Sequence, residues 1–298
     1  LCSVLCVLCS VLCVLCSVLC VLCSVLHGNK AIRSQDYIKK LNLFYIHNMS
    51  VKRIIPCMDI QNGKTVKGIN FVNIKDIGDP VELAANYAAM GADELVFLDI
   101  TATEEKRKTL STLIPKIAQY IKIPFCIGGG IASVEDAAYI LSHGAHKISI
   151  STATVHNPQL IKELSAQFGK ERIVVAIDTK RIDGTWYVMT NGGKLATDKQ
   201  TVDWAKEVEA LGAGEILLTS MEQDGTKDGF AIDITRAVAE AVQIPVIASG
   251  GAGTMAHFAE VLTTGKADAA LAASIFHYQE ISIPELKAYL KKEGVNVR

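Results

Sequence analysis

The chain has few aromatic residues and no excess of charge of either sign. Of its 298 residues 6% are aromatic, and 30 Lys and Arg stand against 31 Asp and Glu, which gives a formal net charge of −1. Proteins that bind nucleic acids usually carry a basic surface or stacking aromatic side chains. We therefore expect no nucleic-acid partner, whereas a small anion such as a phosphate can still be bound by a few backbone amides.

Cysteine is scarce beyond the first 26 residues. Seven of the nine cysteines lie in that segment, and only Cys57 and Cys126 follow it. The Met, His and Cys residues show no metal-ligand spacing, and the chain has no GxGxxG dinucleotide motif and no P-loop. We expect no metal and no cofactor. Two cysteines and no secretory signal predict a reducing, cytoplasmic location for the remainder of the chain.

Residues 1–26 form an uncharged repeat of the seven letters LCSVLCV. The segment is long and apolar enough to cross a bilayer, so membrane attachment is one interpretation. However, membrane insertion constrains hydropathy and not identity, whereas a translated nucleotide repeat produces identity. The segment also lacks a basic start and a small-residue cleavage site. Because the first methionine is Met49, we expect 1–48 to be upstream sequence outside the functional protein, and no membrane attachment.

From Met49 onwards, short Val- and Ile-rich segments alternate with amphipathic ones. The apolar segments are 53–59, 94–99, 124–128, 146–150, 172–178, 215–219, 245–249 and 268–272. Apolar strands alternating with helices predict a parallel sheet covered by helices. Eight such units in about 250 residues are typical of a closed (βα)8 TIM barrel. An open, doubly wound sheet is the structural alternative.

An internal repeat favours the barrel. The segment that starts at Ile123 (IPFCIGGGI) resembles the segment that starts at Ile244 (IPVIASGGAG), 121 residues later, and a shift of 119 places Asp59 on Asp178. The residues 49–298 thus divide into two similar half-barrels, 49–170 and 171–298. No linker composition separates the halves, so we expect a single domain with twofold internal symmetry.

Asp59 and Asp178 follow apolar strands at their carboxyl-terminal ends. Active sites of (βα)8 barrels lie at that end, so the two carboxylates should face one another across the mouth of the barrel. Such a pair suits general acid and general base catalysis. The alternative is that each aspartate only caps the following turn.

Two glycine clusters predict phosphate binding. Gly128-Gly129-Gly130 follows the third strand and Ser249-Gly250-Gly251 follows the seventh, and glycine lets backbone N–H groups approach a phosphate closely. The fourth and eighth strands end near hydroxyl residues, namely Ser151, Thr152 and Ser274. Two such sites on opposite sides of the mouth indicate an elongated substrate with a phosphate at each end.

Four charged residues precede or begin apolar strands, and they would meet at the opposite end of the barrel. They are Arg53, Glu94, Lys147 and Glu215. Their spacing alone favours ordinary surface ion pairs. Elsewhere, residues 60–79 are predicted to be a long loop that carries Lys64 and Lys67 and acts as a lid. Residues 186–197, with an Asn-Gly-Gly turn, are predicted to be a small β-ribbon.

From about Lys52 to Arg298 the chain resembles the cyclase subunits of imidazole glycerol phosphate synthase, a family of histidine biosynthesis. The resemblance rests on RIIPCMDI, TVKGINF, DELVFLDITA, IPFCIGGGI, VVAIDTKR, GAGEILLTS, DGTKDG, IPVIASGGAG, AALAASIFH and LKKEGVNVR. It implies a lyase that combines a bis-phosphorylated ribulosyl intermediate with ammonia. The products would be imidazole glycerol phosphate and aminoimidazole carboxamide ribotide.

The resemblance also implies roles for individual residues. Asp59 and Asp178 would be the acid–base pair, and Lys67 would lie on a mobile loop over the substrate. The residues implied in substrate binding are otherwise Gly130, Ser151 and Thr152 for one phosphate and Asp224, Gly225, Ser249, Gly250, Gly251, Ala273 and Ser274 for the other.

Ammonia would come from a separate glutaminase subunit, bound as a heterodimer partner at the amino-terminal face of the barrel. The four charged residues would then form the gate for ammonia, which replaces the interpretation as surface ion pairs. The chain departs from the family at Ser151, where Asn is usual, and at His146, where Asp is usual. The first change could weaken a phosphate contact and the second could alter coupling to the glutaminase. Two alternatives stay open: a sugar isomerase of the same pathway and a non-catalytic subunit that binds a bis-phosphate.

Overall fold

The computed structural model describes residues 51–69, 72–100 and 106–298, and the side chains of 67–75 and 106–111 are not described. The segment 1–48, predicted to be upstream sequence, lies outside the described residues. Val51–Arg298 forms one compact unit.

Eight parallel strands of the described chain form a closed barrel. They are β1 (Arg53–Gln61), β4 (Leu95–Asp99), β5 (Phe125–Gly128), β6 (Lys147–Ile150), β7 (Ile173–Ile182), β10 (Glu215–Ser220), β11 (Val246–Ser249) and β12 (Ala269–Ala272). The barrel closes where β1 pairs with β12, with Arg53 opposite Ala269. This closure excludes the open sheet and confirms the predicted (βα)8 fold.

Helices follow the strands and cover the outside of the barrel. They are α1 (Pro80–Ala89), α2 (Lys106–Tyr120), α3 (Val134–Ser142), α4 (Thr152–His156), α5 (Gln159–Phe168), α6 (Thr201–Ala210), α7 (Ile232–Ala241), α8 (Met255–Thr263), α9 (Ser274–His277) and α10 (Ile283–Lys292). Side-chain caps fix several starts: Asp79 accepts from the N–H groups of Val81 and Glu82, and Ser133 accepts from Asp136. Such caps satisfy amide groups that the helix itself leaves unbonded.

The segment 60–79 is not the loop that was predicted. β1 runs on to Gln61, and β2 (Lys64–Ile69) and β3 (Val72–Gly78) add antiparallel strands to it. The reason is the Asn62-Gly63 turn, whose φ angles of 52° and 78° fit the two-residue turns that join β-hairpins.

The second half of the barrel carries an equivalent ribbon. β7 extends beyond the barrel and pairs with β8 (Thr185–Thr190), which pairs with β9 (Leu195–Gln200). Its first turn, Asp183-Gly184, again has positive φ angles. The ribbon predicted for 186–197 is therefore present, and the two half-barrels share a hairpin after their first strand as well as the glycine loops.

The core has an inner and an outer part. Inside the barrel lies a cluster of mostly small and branched side chains: Ile55, Cys57, Val96, Cys126, Val174, Leu217, Ile247, Ala269 and Leu271. Larger clusters fill the space between strands and helices. Burying a Leu, Ile or Phe side chain contributes about 1.5–3 kcal/mol, so these clusters hold the strand ends in place.

Candidate active site

A cavity of about 660 Å³ opens at the carboxyl-terminal ends of the barrel strands. Almost all of the predicted site residues line it: Asp59, Gly130, Ser151, Thr152, Asp178, Asp224, Gly225, Ser249, Gly250, Gly251, Ala273 and Ser274. Of the predicted catalytic and substrate-binding residues, Lys67 is not among those that line the cavity. Its backbone lies in β2 opposite Lys75, and its side chain is outside the described part.

Asp59 and Asp178 are held by two strands each. Asp59 in β1 lies opposite Leu98 of β4 and Val66 of β2, and its residue is 6% exposed. Asp178 in β7 lies opposite Thr219 of β10 and Met189 of β8. Each aspartate thus stands where a barrel strand leaves the barrel to form a hairpin, which fixes its backbone on both sides.

The Asp178 carboxyl group is protonated more readily than an ordinary aspartate. Burial, and secondarily the negative charge of Asp224, raise its pKa from 3.8 to about 6. A group with a pKa near neutrality can both give and accept a proton at working pH, which is the property that acid–base catalysis needs.

The glycine loops lie so close to the backbone of neighbouring segments that a side chain would not fit. A Cβ at Gly129 would collide with the carbonyl oxygen of Asp99, and one at Gly251 would collide with that of Gly229. Both glycines have φ near +100°, in a region that favours glycine. The two loops therefore bring backbone, and no side chain, to the edge of the cavity at these positions.

Hydroxyl groups stand beside the loops, as predicted. Ser151 and Thr152 follow β6, and Ala273 and Ser274 follow β12 at the equivalent place. The Thr152 Oγ1 accepts a hydrogen bond of 3.0 Å from the backbone N–H of Asn191, which lies in the turn between β8 and β9.

Several cavity residues escaped sequence reasoning. Asp99, Asn191, Gly192, Met221 and Lys227 also line the cavity. Asp99 is the last residue of β4 and is 5% exposed, so the aspartate at the end of the apolar VFLD segment was a usable signal. Met221 directly follows β10, whereas Asn191, Gly192 and Lys227 lie in loops, and nothing in the sequence places these loops at the cavity.

The four charged residues form one cluster at the other end of the barrel, hereafter the charged cluster. Arg53 Nη1 lies 2.7 Å from Glu94 and its Nη2 contacts Glu215, while Lys147 Nζ lies 3.0 Å from Glu94 and 2.8 Å from Glu215. The glutamates are only 2% and 4% exposed. This is a buried, alternating set of charges across the barrel axis and not a set of separate surface pairs.

Each cation of the charged cluster is held in its charged form. Burial alone would lower the pKa of Lys147, but the carboxylates of Glu215 and Glu94 outweigh it and raise that pKa. The same carboxylates raise the pKa of Arg53. Pairing with two anions thus offsets the cost of removing each cation from water.

In the described ranges, no group of three or more His, Cys, Asp or Glu residues could hold a metal ion. The helices described there include none that is both long and apolar enough to cross a membrane.

A closed eight-stranded barrel, with a cavity lined by two aspartates and two glycine loops at the carboxyl ends of its strands, belongs to the class of (βα)8-barrel enzymes. The family described as "Histidine biosynthesis protein" matches residues 53–282. The imidazole glycerol phosphate synthase subunit HisF of Cytophaga hutchinsonii is 59% identical over 250 residues, which are 84% of this chain and 100% of that protein. The subunits of Flavobacterium psychrophilum and Parabacteroides distasonis are 58% and 56% identical over the same shares. The chain therefore belongs to the histidine biosynthesis protein family and, within it, to the HisF cyclase subunits of imidazole glycerol phosphate synthase. It is an enzyme of the lyase type, as predicted.

Proposed function

We propose that the chain joins ammonia to a phosphoribulosyl formimino carboxamide ribotide in the cavity described above. The reaction releases imidazole glycerol phosphate and aminoimidazole carboxamide ribotide. One observation carries this proposal: the carboxylates of Asp59 and Asp178 line a single cavity together with two glycine loops. A substrate with a phosphate at each end would bind one loop with each phosphate and place its reacting atoms between the carboxylates.

Asp59 and Asp178 serve as the acid–base pair in this proposal. Closing the imidazole ring requires protons to leave the incoming nitrogen and to reach the departing group. The pKa of Asp178, raised to about 6 by burial and by Asp224, lets that carboxyl exchange protons near neutral pH. Lys67, which follows Val66, the residue of β2 that lies opposite Asp59, is proposed to bind the substrate.

The phosphates are assigned to the two loops. One binds at Gly130, Ser151 and Thr152, and the other at the second loop and its neighbours, namely Asp224, Gly225, Ser249, Gly250, Gly251, Ala273 and Ser274. Backbone N–H groups and hydroxyls suit phosphate oxygens, which accept several hydrogen bonds. Ser151 replaces the family's usual Asn with a shorter side chain, so its contact with the phosphate is weaker or passes through water.

The ammonia is proposed to come from a glutaminase subunit. The relatives are named as subunits of a synthase, which supports a two-subunit enzyme. The charged cluster, placed at the amino-terminal ends of the strands, would be the gate, and the apolar interior around Val96 and Cys126 would lead from it to the cavity.

The amino-terminal face also supports the proposed contact surface. Three large apolar side chains are exposed at that end: Val51 (44%), Met90 (42%) and Tyr120 (64%). A partner that covered these side chains would remove their apolar area from water. His146 lies on the same face, next to the gate residue Lys147, with its ring 5.3 Å from that of Phe125. A ring in place of a carboxylate would change the charge that the glutaminase meets, and so its coupling to the cyclase.

We further propose that residues 49–298 are the functional protein and that it works in the cytoplasm. The 250 matched residues span the relatives' full length, and the two cysteines in the described ranges, Cys57 and Cys126, are both buried. A reducing compartment suits such thiols.

The test is turnover of the bis-phosphorylated ribulosyl substrate with an ammonium salt at alkaline pH. The full chain and a protein that starts at Met49 should both form the two products. Asp59→Asn and Asp178→Asn should each abolish turnover while retaining substrate binding, because a carboxamide keeps the shape but neither takes up nor releases the proton. Asp198→Asn, an exposed aspartate of β9, is the matched control and should stay active.

Other outcomes would point elsewhere. Tight binding without turnover in the wild type would reject the cyclase reaction and lead to an assay of the isomerase substrate. Unchanged activity in both aspartate variants would reject their acid–base role.

A further inference from the structure

The turn between β8 and β9, residues Asn191–Gly193 (hereafter the ribbon turn), lies at the edge of the cavity. Asn191 and Gly192 line the cavity together with Thr152 and Met221. The ribbon turn belongs to the second half-barrel, whereas Thr152 belongs to the first. It therefore joins the hydroxyl of one half to a hairpin of the other.

The contact between them is a single hydrogen bond with a definite direction. The backbone N–H of Asn191 donates to Thr152 Oγ1 at 3.0 Å. A threonine hydroxyl has one donor and two acceptor positions. Because an acceptor position is occupied by the amide, the O–H remains available to donate to a second group, and the amide restricts the orientation in which it does so.

The ribbon turn is itself firmly placed. Its residues Asn191, Gly192 and Gly193 have φ angles of 55°, 65° and 79°, and Lys194 N–H bonds back to the Thr190 carbonyl at 3.1 Å. A Cβ at Gly193 would collide with the end of the Met221 side chain and would lie 2.9 Å from its Sδ. The ribbon turn thus packs against a wall of the cavity that follows β10.

The base of the ribbon is equally fixed. The hydroxyls of Thr179 and Thr201 lie 2.5 Å apart, and both residues are fully buried. Thr179 Oγ1 also donates to the Tyr187 carbonyl, and Thr197 Oγ1 donates to that of Val188. These hydrogen bonds tie the strands of the ribbon together and connect its base to the barrel, which places the Asn191 amide beside Thr152.

We propose that the Asn191 amide is a positioning group for the substrate: it orients the Thr152 hydroxyl so that this hydroxyl donates to a phosphate of the substrate. This inference rests on the proposed function, which assigns Thr152 to a phosphate. Hydrogen bonds in a chain polarise one another, so an amide that donates to Thr152 strengthens the bond that Thr152 donates. Loss of the Asn191 amide should therefore lower substrate affinity, and it should weaken the binding of only one of the two phosphates.

The test compares two proline variants of the full chain in the ammonium-salt assay. Asn191→Pro removes the amide hydrogen and, because proline holds φ near −65° whereas Asn191 has a φ of 55°, it also displaces the backbone of the turn. Asp183→Pro is the matched control, because Asp183 also has a positive φ (47°), also precedes a glycine, and lies in the other turn of the same ribbon. Asn191→Pro should raise KM about three- to tenfold, the value of one ordinary hydrogen bond, with kcat nearly constant. Asp183→Pro, which disturbs an equivalent turn remote from Thr152, should leave KM unchanged.

Product inhibition shows which end of the substrate is affected. Each product carries one phosphate, so Asn191→Pro should weaken inhibition by only one of them. Equal weakening of both products would overturn the proposal, because it would indicate a general distortion of the cavity.

Combination with Thr152→Val separates the inference from the proposal on which it rests. If the amide acts through the hydroxyl, Asn191→Pro should add little to the KM of Thr152→Val, since coupled residues are non-additive. Additive effects would overturn the positioning role. A KM unchanged by Thr152→Val would instead overturn the assignment of Thr152 to a phosphate.

Thermal unfolding of each variant establishes that it is folded. A KM increase in Asp183→Pro similar to that in Asn191→Pro would also overturn the proposal.

Discussion

Gly129 and Gly250 make the same backbone contact in the two halves of the barrel. A Cβ at Gly129 would collide with the carbonyl oxygen of Asp99, and a Cβ at Gly250 would lie 2.6 Å from that of Ser220. Asp99 and Ser220 are themselves equivalent, since each is the last residue of its strand. The repeat therefore preserves the close approach of each glycine loop to the neighbouring strand, and not only the glycines.

That contact predicts a large effect of a single methyl group. Gly129→Ala should destabilise the protein by at least about 1–3 kcal/mol, because it adds a collision with backbone to an unfavourable φ. It should also raise KM for the substrate, since the loop must move away from the cavity. Denaturant unfolding and steady-state kinetics measure the two effects.

Gly91→Ala is the control for the backbone angle alone. Gly91 has a φ of 87°, and no atom lies within 4 Å of a Cβ built there. Gly91→Ala should destabilise the protein less than Gly129→Ala does, and it should leave KM for the substrate unchanged. Equal losses in the two variants would contradict the importance of the contact with Asp99.

The proximity of Asp178 and Asp224 predicts a specific pH dependence. The pKa of Asp178 is about 6 because of burial and of the negative charge on Asp224. At a constant concentration of free ammonia, kcat/KM should therefore titrate with a midpoint near 6. Asp224→Asn should move this midpoint to lower pH, because removing a neighbouring negative charge favours the ionised form of Asp178. A midpoint that does not move would show that Asp224 has no influence on Asp178.

The same raised pKa predicts that Asp178 lowers stability at alkaline pH. Below about pH 4 the carboxyl is protonated in both the folded and the unfolded chain, so it costs nothing. As pH rises from about 4 to beyond 6, the unfolded chain ionises more readily, and the cost grows to about 3 kcal/mol for a shift from 3.8 to about 6. Asp178→Asn should accordingly raise the unfolding free energy at pH 8 and change it little at pH 4.

Asp198→Asn serves as the comparison for this stability measurement. Asp198 is exposed, so its replacement should change stability by less than about 0.5 kcal/mol at either pH. If Asp178→Asn behaves in the same way, the carboxyl is not buried enough to carry the predicted cost.

The barrel could be read from the sequence because each of its signals is local. Every apolar strand is a short continuous segment, and the repeat brings Gly128–Gly130 and Ser249–Gly251 to equivalent positions. The hairpin at 60–79 was missed although its signal is local too. Asn62-Gly63 lies between two segments with β-strand character, just as Asn191-Gly192 does, so the turn residues that indicated the second ribbon were also present in the first.

The remaining parts of the site depend on contacts between distant residues. Asn191 and Thr152 are 39 positions apart, and Asp178 and Asp224 lie on different strands or loops. Burial and Asp224 set the pKa of Asp178, and neither follows from the residues next to it in the chain. The charged cluster is a similar case. The sequence shows a charged residue at the start of each of four strands, but only the closed barrel brings the four side chains into one buried set.

The charged cluster predicts a difference between buried and exposed ion pairs. Lys147→Met leaves Arg53 alone to compensate Glu94 and Glu215, which are almost completely buried. Loss of one partner from a buried set of charges costs about 3–5 kcal/mol, because it leaves a carboxylate without a counter-charge in a place that water does not reach. Lys206→Met breaks the exposed pair with Asp203 and should cost at most about 1 kcal/mol.

Urea unfolding of both variants compares the two costs. Lys147→Arg should recover part of the lost stability because it restores the positive charge. If Lys147→Met costs no more than Lys206→Met, water reaches the charged cluster and its description as a buried set of charges would be wrong.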